Sequence, residues 1–386
     1  MTSRALDVNP AAEIPRGADA ASAGYLFHPV TDFIVAGGGS LIVAPAIIWL
    51  IRDKGAVTPK AVAAALLLSL VINFPHFAHS YQLLYTGIVR RITGSTGWKV
   101  RVRYVWAGFV VPAALGVFFV GALASGNVRA LGYSANVMAL TVGWHYVKQG
   151  YGVAVVLSAI RRIYYTNVEK RLLLLNGYAV WIYSWMALNE ALRAETYLGI
   201  TYMTLALPPL ARTLAGAAAV VTTLGVVFAI TRRILVRHQP VSWNGLVGYG
   251  CSLYLWVVAR YTDPLFALFV PMFHSLQYLL FVWRYEINKA EVDAQSDRRA
   301  RGRRPSARDL FGRFVITGLV LGWLGFIILP IVLNHMVSPD PLRWGPSLFA
   351  FIGVVWINVH HYFIDNVIWR RDNEDVRRFL FAPRLP

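Results

Sequence analysis

A single cysteine, Cys251, occurs in the chain, which excludes an internal disulfide and a thiolate metal cluster. Charge is scarce as well. Asp, Glu, Lys and Arg make up 15% of the residues, where a soluble domain carries about a quarter. Acidic residues are the rarer kind, 19 against 37 Lys and Arg, giving a net charge of +18. Short alternating strands of the kind that build a membrane barrel are missing. So are an internal repeat, a Gly-rich phosphate loop and the H-E-x-x-H zinc-protease pattern. The first 24 residues hold no apolar signal core, so residues 1–27 are expected to form a disordered tail.

What is abundant is apolar. The hydrophobic fraction is 57% and the mean hydropathy is +0.51. The apolar residues fall in runs of roughly 20, enough for a helix to cross a ~30 Å hydrocarbon layer. Backbone amides in lipid must bond within their own segment, so such runs become helices. The expected fold is therefore all-α: a polytopic integral membrane helix bundle of about ten transmembrane helices. They run near 30–51, 61–84, 104–124, 136–159, 172–192, 214–231, 244–259, 264–284, 314–336 and 346–369. The semi-polar stretch 193–213 reads as re-entrant or interfacial. The transmembrane domain covers 28–370, with a basic connection at 286–313 and a tail at 371–386.

The surplus of positive charge sits in connections, as retained cytoplasmic loops require, and not in a nucleic-acid-binding pattern. Arg90, Arg91, Lys99, Arg101 and Arg103 follow the second run; Arg161, Arg162, Lys170 and Arg171 follow the fourth. Arg232, Arg233 and Arg237 follow the sixth, Arg298, Arg299, Arg301, Arg303 and Arg304 the eighth, and Arg370 and Arg371 the tenth. Arg52, Lys54 and Lys60 after the first run are the exception. This pattern predicts both termini in the cytoplasm and a bacterial inner membrane as the location.

The histidines carry the chemistry. Of nine, His238 lies in a polar loop, His335 at the end of the ninth run and His28 just before the first. The other six, His76, His79, His145, His274, His360 and His361, fall inside four runs. Polar groups in hydrocarbon are costly and normally face a bundle interior or a cavity. Taken singly, each ring reads as a structural hydrogen-bonder; taken together, they read as a shared site. Asn73, His76 and Ser80 form one stripe, with His79 a turn on from His76; His145, Lys148, Gln149 and Gly152 share a face. His274 aligns with Gln277 and Tyr278, and Asn358, His361 and Asp365 line up while His360 points about 100° away. His28 and Asp32 repeat the spacing of His361 and Asp365. A first helix packed beside the tenth would add that pair to the cluster. Glu190 and Glu286 lie near run ends and read as solvated.

Imidazole and carboxylate without thiolate suit iron, copper, zinc or manganese. The expected cofactor is a metal ion, iron in the first place and copper or zinc as alternatives. Its expected ligands are His76, His79, His274, His360, His361 and Asp365. His145, Lys148 and Tyr278 are the candidate catalytic residues, His145 as a further ligand or a proton donor, and Gln149 and Gln277 the candidate substrate-binding residues. The reading that follows is a membrane oxygenase, hydroxylase or desaturase acting on a lipid or isoprenoid, working with a redox partner and with membrane lipids. The competing reading is a proton-coupled transporter using the buried His, Lys and Asp as a relay. The paired His360 and His361 lack the His-Pro-Glu-Val companion of haem–copper oxidases. The desaturase boxes H-x-x-x-H and H-x-x-H-H are matched only as H-x-x-H.

Four segments, P-H-F-A-H-S-Y (75–81), W-H-Y-V-K-Q-G-Y-G (144–152), F-H-S-L-Q-Y-L-L-F-V-W (273–283) and H-H-Y-F-I-D-N-V-I-W-R (360–370), carry a resemblance. Together with H-P-V-T-D-F-I-V-A-G-G-G (28–39), they resemble a group of His-rich bacterial multi-span membrane proteins with no assigned reaction. That resemblance implies that the histidines are a feature of the group. A looser likeness is to the His-rich membrane carotenoid-cleaving oxygenases of the Brp/Blh type, from which no site residue carries over.

Overall fold

Prolines set the shape of the long helices. The structure, a computed structural model, describes residues 24–51, 58–94, 97–262, 264–298, 305–370 and 372–381. The expected tail up to residue 23, Arg52, Lys54, Arg299, Arg301, Arg303, Arg304, Arg371 and residues 382–386 lie outside the described residues. Among the described residues, six helices are long and apolar enough to cross a membrane. They are α3 (Pro59–Tyr85), α4 (Trp98–Ala124), α7 (Pro209–Leu235), α9 (Phe266–Gln295), α10 (Ala307–Val337) and α11 (Pro341–Ile368). A seventh is the bent pair α1 (Pro29–Gly38) and α2 (Ser40–Ile51), which meet at 44°. Three further helices, α5 (Val128–Ile160), α6 (Asn167–Ala191) and α8 (Trp243–Tyr261), complete the ten expected segments, each of which is helical. None of these three is among the helices apolar enough to cross a membrane. A short α12 (Glu374–Leu380) follows α11.

Three of the long helices hold a wide, π-type turn ending two residues before a proline. The turns are Ser69–Asn73 before Pro75, Trp106–Val110 before Pro112 and Leu324–Ile328 before Pro330. Proline has no N–H and clashes with the preceding turn, so the helix widens there and leaves carbonyls free. Side chains from neighbouring helices take two of these sets. Trp323 donates its indole N–H to Leu70 O at 2.9 Å. Tyr85 donates its hydroxyl to Gly108 O at 2.8 Å, and His360 Nε2 reaches Ala107 O at 2.7 Å. The Pro75 and Pro112 kinks are thereby points of attachment between helices.

The bend between α1 and α2 has a different origin. Gly37 adopts φ +144°, which only glycine takes without strain, and a Cβ there would lie 2.7 Å from Cys251 Cβ. Gln277 closes the break, donating to Ala36 O at 2.5 Å and Gly248 O at 2.9 Å. Ser40 adds a hydroxyl bond to Gly37 O at 2.5 Å. This first segment packs mainly on α8 and α9. His28 is exposed, and Asp32 accepts from Leu26 N and Phe27 N at 2.6 and 3.0 Å. The expected addition of this pair to the cluster is therefore corrected: the carboxylate closes its own chain entry. Residues 24–27, expected in the tail, are packed, with Leu26 buried.

Helix α9 is the most buried of the apolar helices and α7 the least, packing on α6 alone among the strong contacts. Around α9 stand α3, α10, α8 and α5, and α11 packs against α3, α4 and α5. Between α6 and α7 lies a two-stranded hairpin, Thr196–Tyr197 with Ile200–Thr201, turning at Leu198 and Gly199. Asn136 and Asn189 hold the following extended chain through Met203 O, Leu205 O and Leu205 N. One end of the bundle is cross-linked by charge. Arg91 pairs with Asp375, Arg103 with Asp372 at 2.6 Å, and buried Arg233 with buried Glu169 at 2.9 Å. Glu190 is half exposed and pairs with Arg212. Glu286 is buried beside Lys289, which corrects its reading as solvated: α12 and α9 cover it.

Candidate metal centre

Four helices deliver one imidazole each to a single buried point: His76 from α3, His145 from α5, His274 from α9 and His361 from α11. One nitrogen of each ring lies within 4.8 Å of those of all the others, and all four residues are buried. The rings form a closed cycle. Centroids of His76 and His361 are 4.6 Å apart, those of His361 and His145 4.8 Å, those of His145 and His274 4.8 Å, and those of His274 and His76 5.3 Å. Asp365 closes one side, its Oδ2 lying 3.4 Å from His361 Nε2 and 3.7 Å from His145 Nε2. Tyr278 donates its hydroxyl to Asp365 Oδ1 at 3.0 Å and sets its ring edge-on to His76 at 4.5 Å.

Two serines fix which nitrogen each of two rings turns inward. Ser275 donates to Asn73 Oδ1 at 2.7 Å, so its oxygen is left to accept from His76 Nδ1–H at 3.2 Å. Ser80 donates to Phe77 O at 2.7 Å and accepts from His361 Nδ1–H at 2.8 Å. A neutral imidazole protonated on Nδ1 presents a lone pair on Nε2. His76 Nε2 and His361 Nε2 are buried and have no hydrogen-bond partner. His145 Nε2 and His274 Nε2 face each other at 3.0 Å. Buried polar atoms are almost always paired, so two orphaned acceptors beside two converging nitrogens ask for a shared electrophile.

A metal ion fits that demand. Nitrogen donors about 2.0–2.1 Å from one ion stand roughly 3–4 Å apart, so the observed spacings require only small ring rotations. Four neutral imidazoles with a carboxylate beside them suit borderline first-row ions. The Nδ1–H groups held by serine oxygens are the outer hydrogen bonds that ligating histidines ordinarily make.

The other residues singled out from sequence are placed elsewhere, each for a physical reason. His360 uses both ring nitrogens: Nε2–H donates to Ala107 O and Nδ1 accepts from Tyr81 OH at 2.9 Å. It ties α11 to the kink of α4 and to α3. His79 Nδ1 meets Gln82 Oε1 at 2.7 Å, and its ring stacks on Phe314 of α10 at 4.4 Å. Gly318 permits that approach, since a Cβ there would lie 2.3 Å from His79 Cε1. The expectation that His79 and His360 belong to the ligand set is corrected accordingly; His145, expected as a further ligand or a proton donor, stands in the set. Lys148 is exposed, its Nζ 5.7 Å from the Tyr178 ring centroid, and so does not join His145 at the centre. Gln149 donates to His274 O at 2.9 Å, bracing α9 against α5. Gln277 is fully engaged at the α1–α2 break, its Oε1 accepting from Ser252 Oγ at 3.0 Å. Neither glutamine turns its amide N–H toward the ring cycle. Tyr278 and Asp365 are where the sequence stripes put them.

Ser80 and Ser275 carried a faint sequence signal: each follows a histidine directly, His79 and His274. Each bonds a histidine on a different helix, which linear spacing does not encode. No family model, curated protein or solved structure matches the chain, so the chemistry of the site rests on these distances.

Proposed function

We propose that this chain is an integral membrane metalloenzyme in which His76, His145, His274 and His361 hold one iron ion, with Asp365 as a further ligand or an anchor for His361. The observation that carries the reading is the pair of buried, partnerless Nε2 atoms on His76 and His361, beside the facing Nε2 atoms of His145 and His274. Bound iron supplies the means to activate dioxygen on an unactivated carbon. The chain's own residues exclude water by burial and hold a proton at Tyr278 Oη, already directed at Asp365 Oδ1. Oxygenation, hydroxylation or desaturation of a lipid or isoprenoid suits a site walled by apolar helices, with electrons drawn from a redox partner.

The membrane arrangement belongs to the same reading. Beside the six apolar helices and the bent α1–α2 pair, α5, α6 and α8 also cross, which makes ten crossings. Even α8, with 19 residues, is about 28 Å long, close to the ~30 Å layer. In this reading both termini lie in the cytoplasm of a bacterium and the inner membrane is the location, a sidedness that the Arg-rich connections support. The break between α1 and α2 is the feature that would favour a transporter. Two of its carbonyls, Ala36 O and Gly37 O, are already bonded by Gln277 and Ser40, which counts against their coordinating a carried ion.

Elemental analysis of protein purified in detergent without chelator tests the proposal. It should show iron near one ion per chain. His76→Ala, His145→Ala, His274→Ala and His361→Ala should each lose it, while His79→Ala and His360→Phe retain it at saturating metal. A folded wild-type protein free of transition metal would overturn the reading.

A further inference from the structure

Between α5, α6 and α8 lies an open cleft, with about 380 Å³ of space between its walls that is continuous with the outside. Its walls include Val142, Val147, Val180, Trp181, Leu188 and Leu253. A smaller pocket of about 190 Å³ reaches His274, passing Tyr146, Cys251 and Leu255. The two share Ser252 and Trp256. A continuous apolar wall therefore runs from the outside of the bundle to one of the four clustered imidazoles.

The cleft is built into the sequence. Trp181 lies across α5 only because position 143 is glycine: a Cβ there would stand 2.2 Å from Trp181 Cδ1. The indole is fixed by its N–H, which donates to Leu140 O at 2.8 Å. Gly150 likewise admits Ser252, whose Cβ would be 2.7 Å from a Cβ at that position. One hydroxyl on the wall, Ser184 Oγ, is buried and has no hydrogen-bond partner. Buried hydroxyls are normally bonded, so this one is a place for a ligand's single polar group.

Height decides the occupant. Gly143, Trp181 and Ser252 lie within two residues of the middle of their helices: residue 144 of Val128–Ile160, 179 of Asn167–Ala191 and 252 of Trp243–Tyr261. At that depth, a molecule arriving from outside travels in the hydrocarbon layer and not in water. Small-molecule sites are mostly apolar and hold a few placed polar groups. The cleft has that character.

We propose that this cleft admits a hydrocarbon chain laterally from the bilayer, a lipid or isoprenoid chain bearing one hydrogen-bonding group. The chain lies along Trp181 and Val180, and Trp256 and Ser252 lead its carbons to His274. This assignment rests on the metalloenzyme reading for its purpose, but the cleft is tested without activity.

The full chain in lipid nanodiscs is irradiated with a long-chain fatty alcohol carrying a diazirine, and the adducts are mapped by mass spectrometry. Adducts should concentrate on Val142, Val180, Trp181 and Leu188, above the lipid-facing residues of α7. Val142→Trp should fill the cleft and lower that labelling about tenfold, equivalent to ~1.4 kcal/mol of binding, with metal content unchanged. Ser184→Phe, on the opposite wall, should do the same and guards against one misfolded variant. Labelling spread evenly over α7 and the cleft, or unchanged in both variants, would overturn the cleft whatever the metal content. Concentrated labelling in a protein that holds no metal would support the cleft and overturn the metal reading alone.

Discussion

At the scale of single residues, two hydroxyls decide how two imidazoles present themselves. Ser275 and Ser80 each pass their own proton to another acceptor and so can only accept from His76 Nδ1 and His361 Nδ1. Replacing either serine by alanine frees the ring to flip or to take the other tautomer. Loss of such outer partners typically weakens metal binding about 10–100-fold. Ser80→Ala and Ser275→Ala should therefore retain the fold, bind iron with affinity lowered in that range when titrated against a competing chelator, and refill when iron is added in excess. Unchanged affinity in both would show that the serines do not set the tautomers. Much of this site was legible beforehand. The stripe of His361 with Asp365 stands in the structure, and the neighbouring His360, read as pointing about 100° away, does point elsewhere. The alternation between 360 and 361 is fixed by helical geometry alone. His76 and His79 were not separable that way. Three residues apart, they differ by only about 60° around the helix, and the arrival of Phe314 and Gly318 decides which of them faces the cycle. The same margin separates His145 from Lys148, and it left the lysine outside.

At the scale of helices, the prolines organise the contacts. Pro112 removes an N–H from α4, and the carbonyls so freed are taken by His360 from α11 and Tyr85 from α3. An unmet buried carbonyl costs about 1–3 kcal/mol. His360→Phe should therefore lower thermal stability by an amount in that range, as should Tyr85→Phe, although Tyr85 is less buried. The double variant should lose less than the sum, because both act on one kink. Iron stoichiometry at saturating metal should not change in either. A thermal melt of His360→Phe that matches wild type would show that Ala107 O finds another donor. Sequence reading noted Pro75 as a kink beside the site. It had no means of finding the partners, because Trp323 lies on α10 and donates to Leu70 O on α3, 253 positions away. Long-range pairs of this kind are set by how the helices cross, whereas apolar periodicity reports only that a helix exists. The expected boundaries of the ten segments illustrate the difference: all ten are helical, but within the 193–213 stretch residues 196–201 form a hairpin, Asn136 and Asn189 hold the chain after it, and α7 begins at Pro209.

At the scale of the whole molecule, polarity and topology are linked through the centre. Helices α5, α6 and α8 do not reach the apolarity of the six candidate spans; they carry His145 and Gln149, the bonded Asn136–Asn189 pair, Asn176 and Ser252. Sidedness decides whether these three cross as well. The chain itself supplies a clean way to measure this. Its one cysteine is buried, so a cysteine introduced at the surface reports alone to a membrane-impermeant maleimide. Lys170→Cys, in the first turn of α6, and Asp340→Cys, after α10, lie at opposite ends of the bundle if every helix crosses once. In intact inner-membrane vesicles turned cytoplasmic face outward, Lys170→Cys should label and Asp340→Cys should label only after detergent is added. Should both label without detergent, an odd number of the helices between them would fail to cross. The Arg-rich ends tied together by Glu169 and Arg233 would then lose their assignment to the cytoplasm, and the cleft at mid-height would no longer open into lipid.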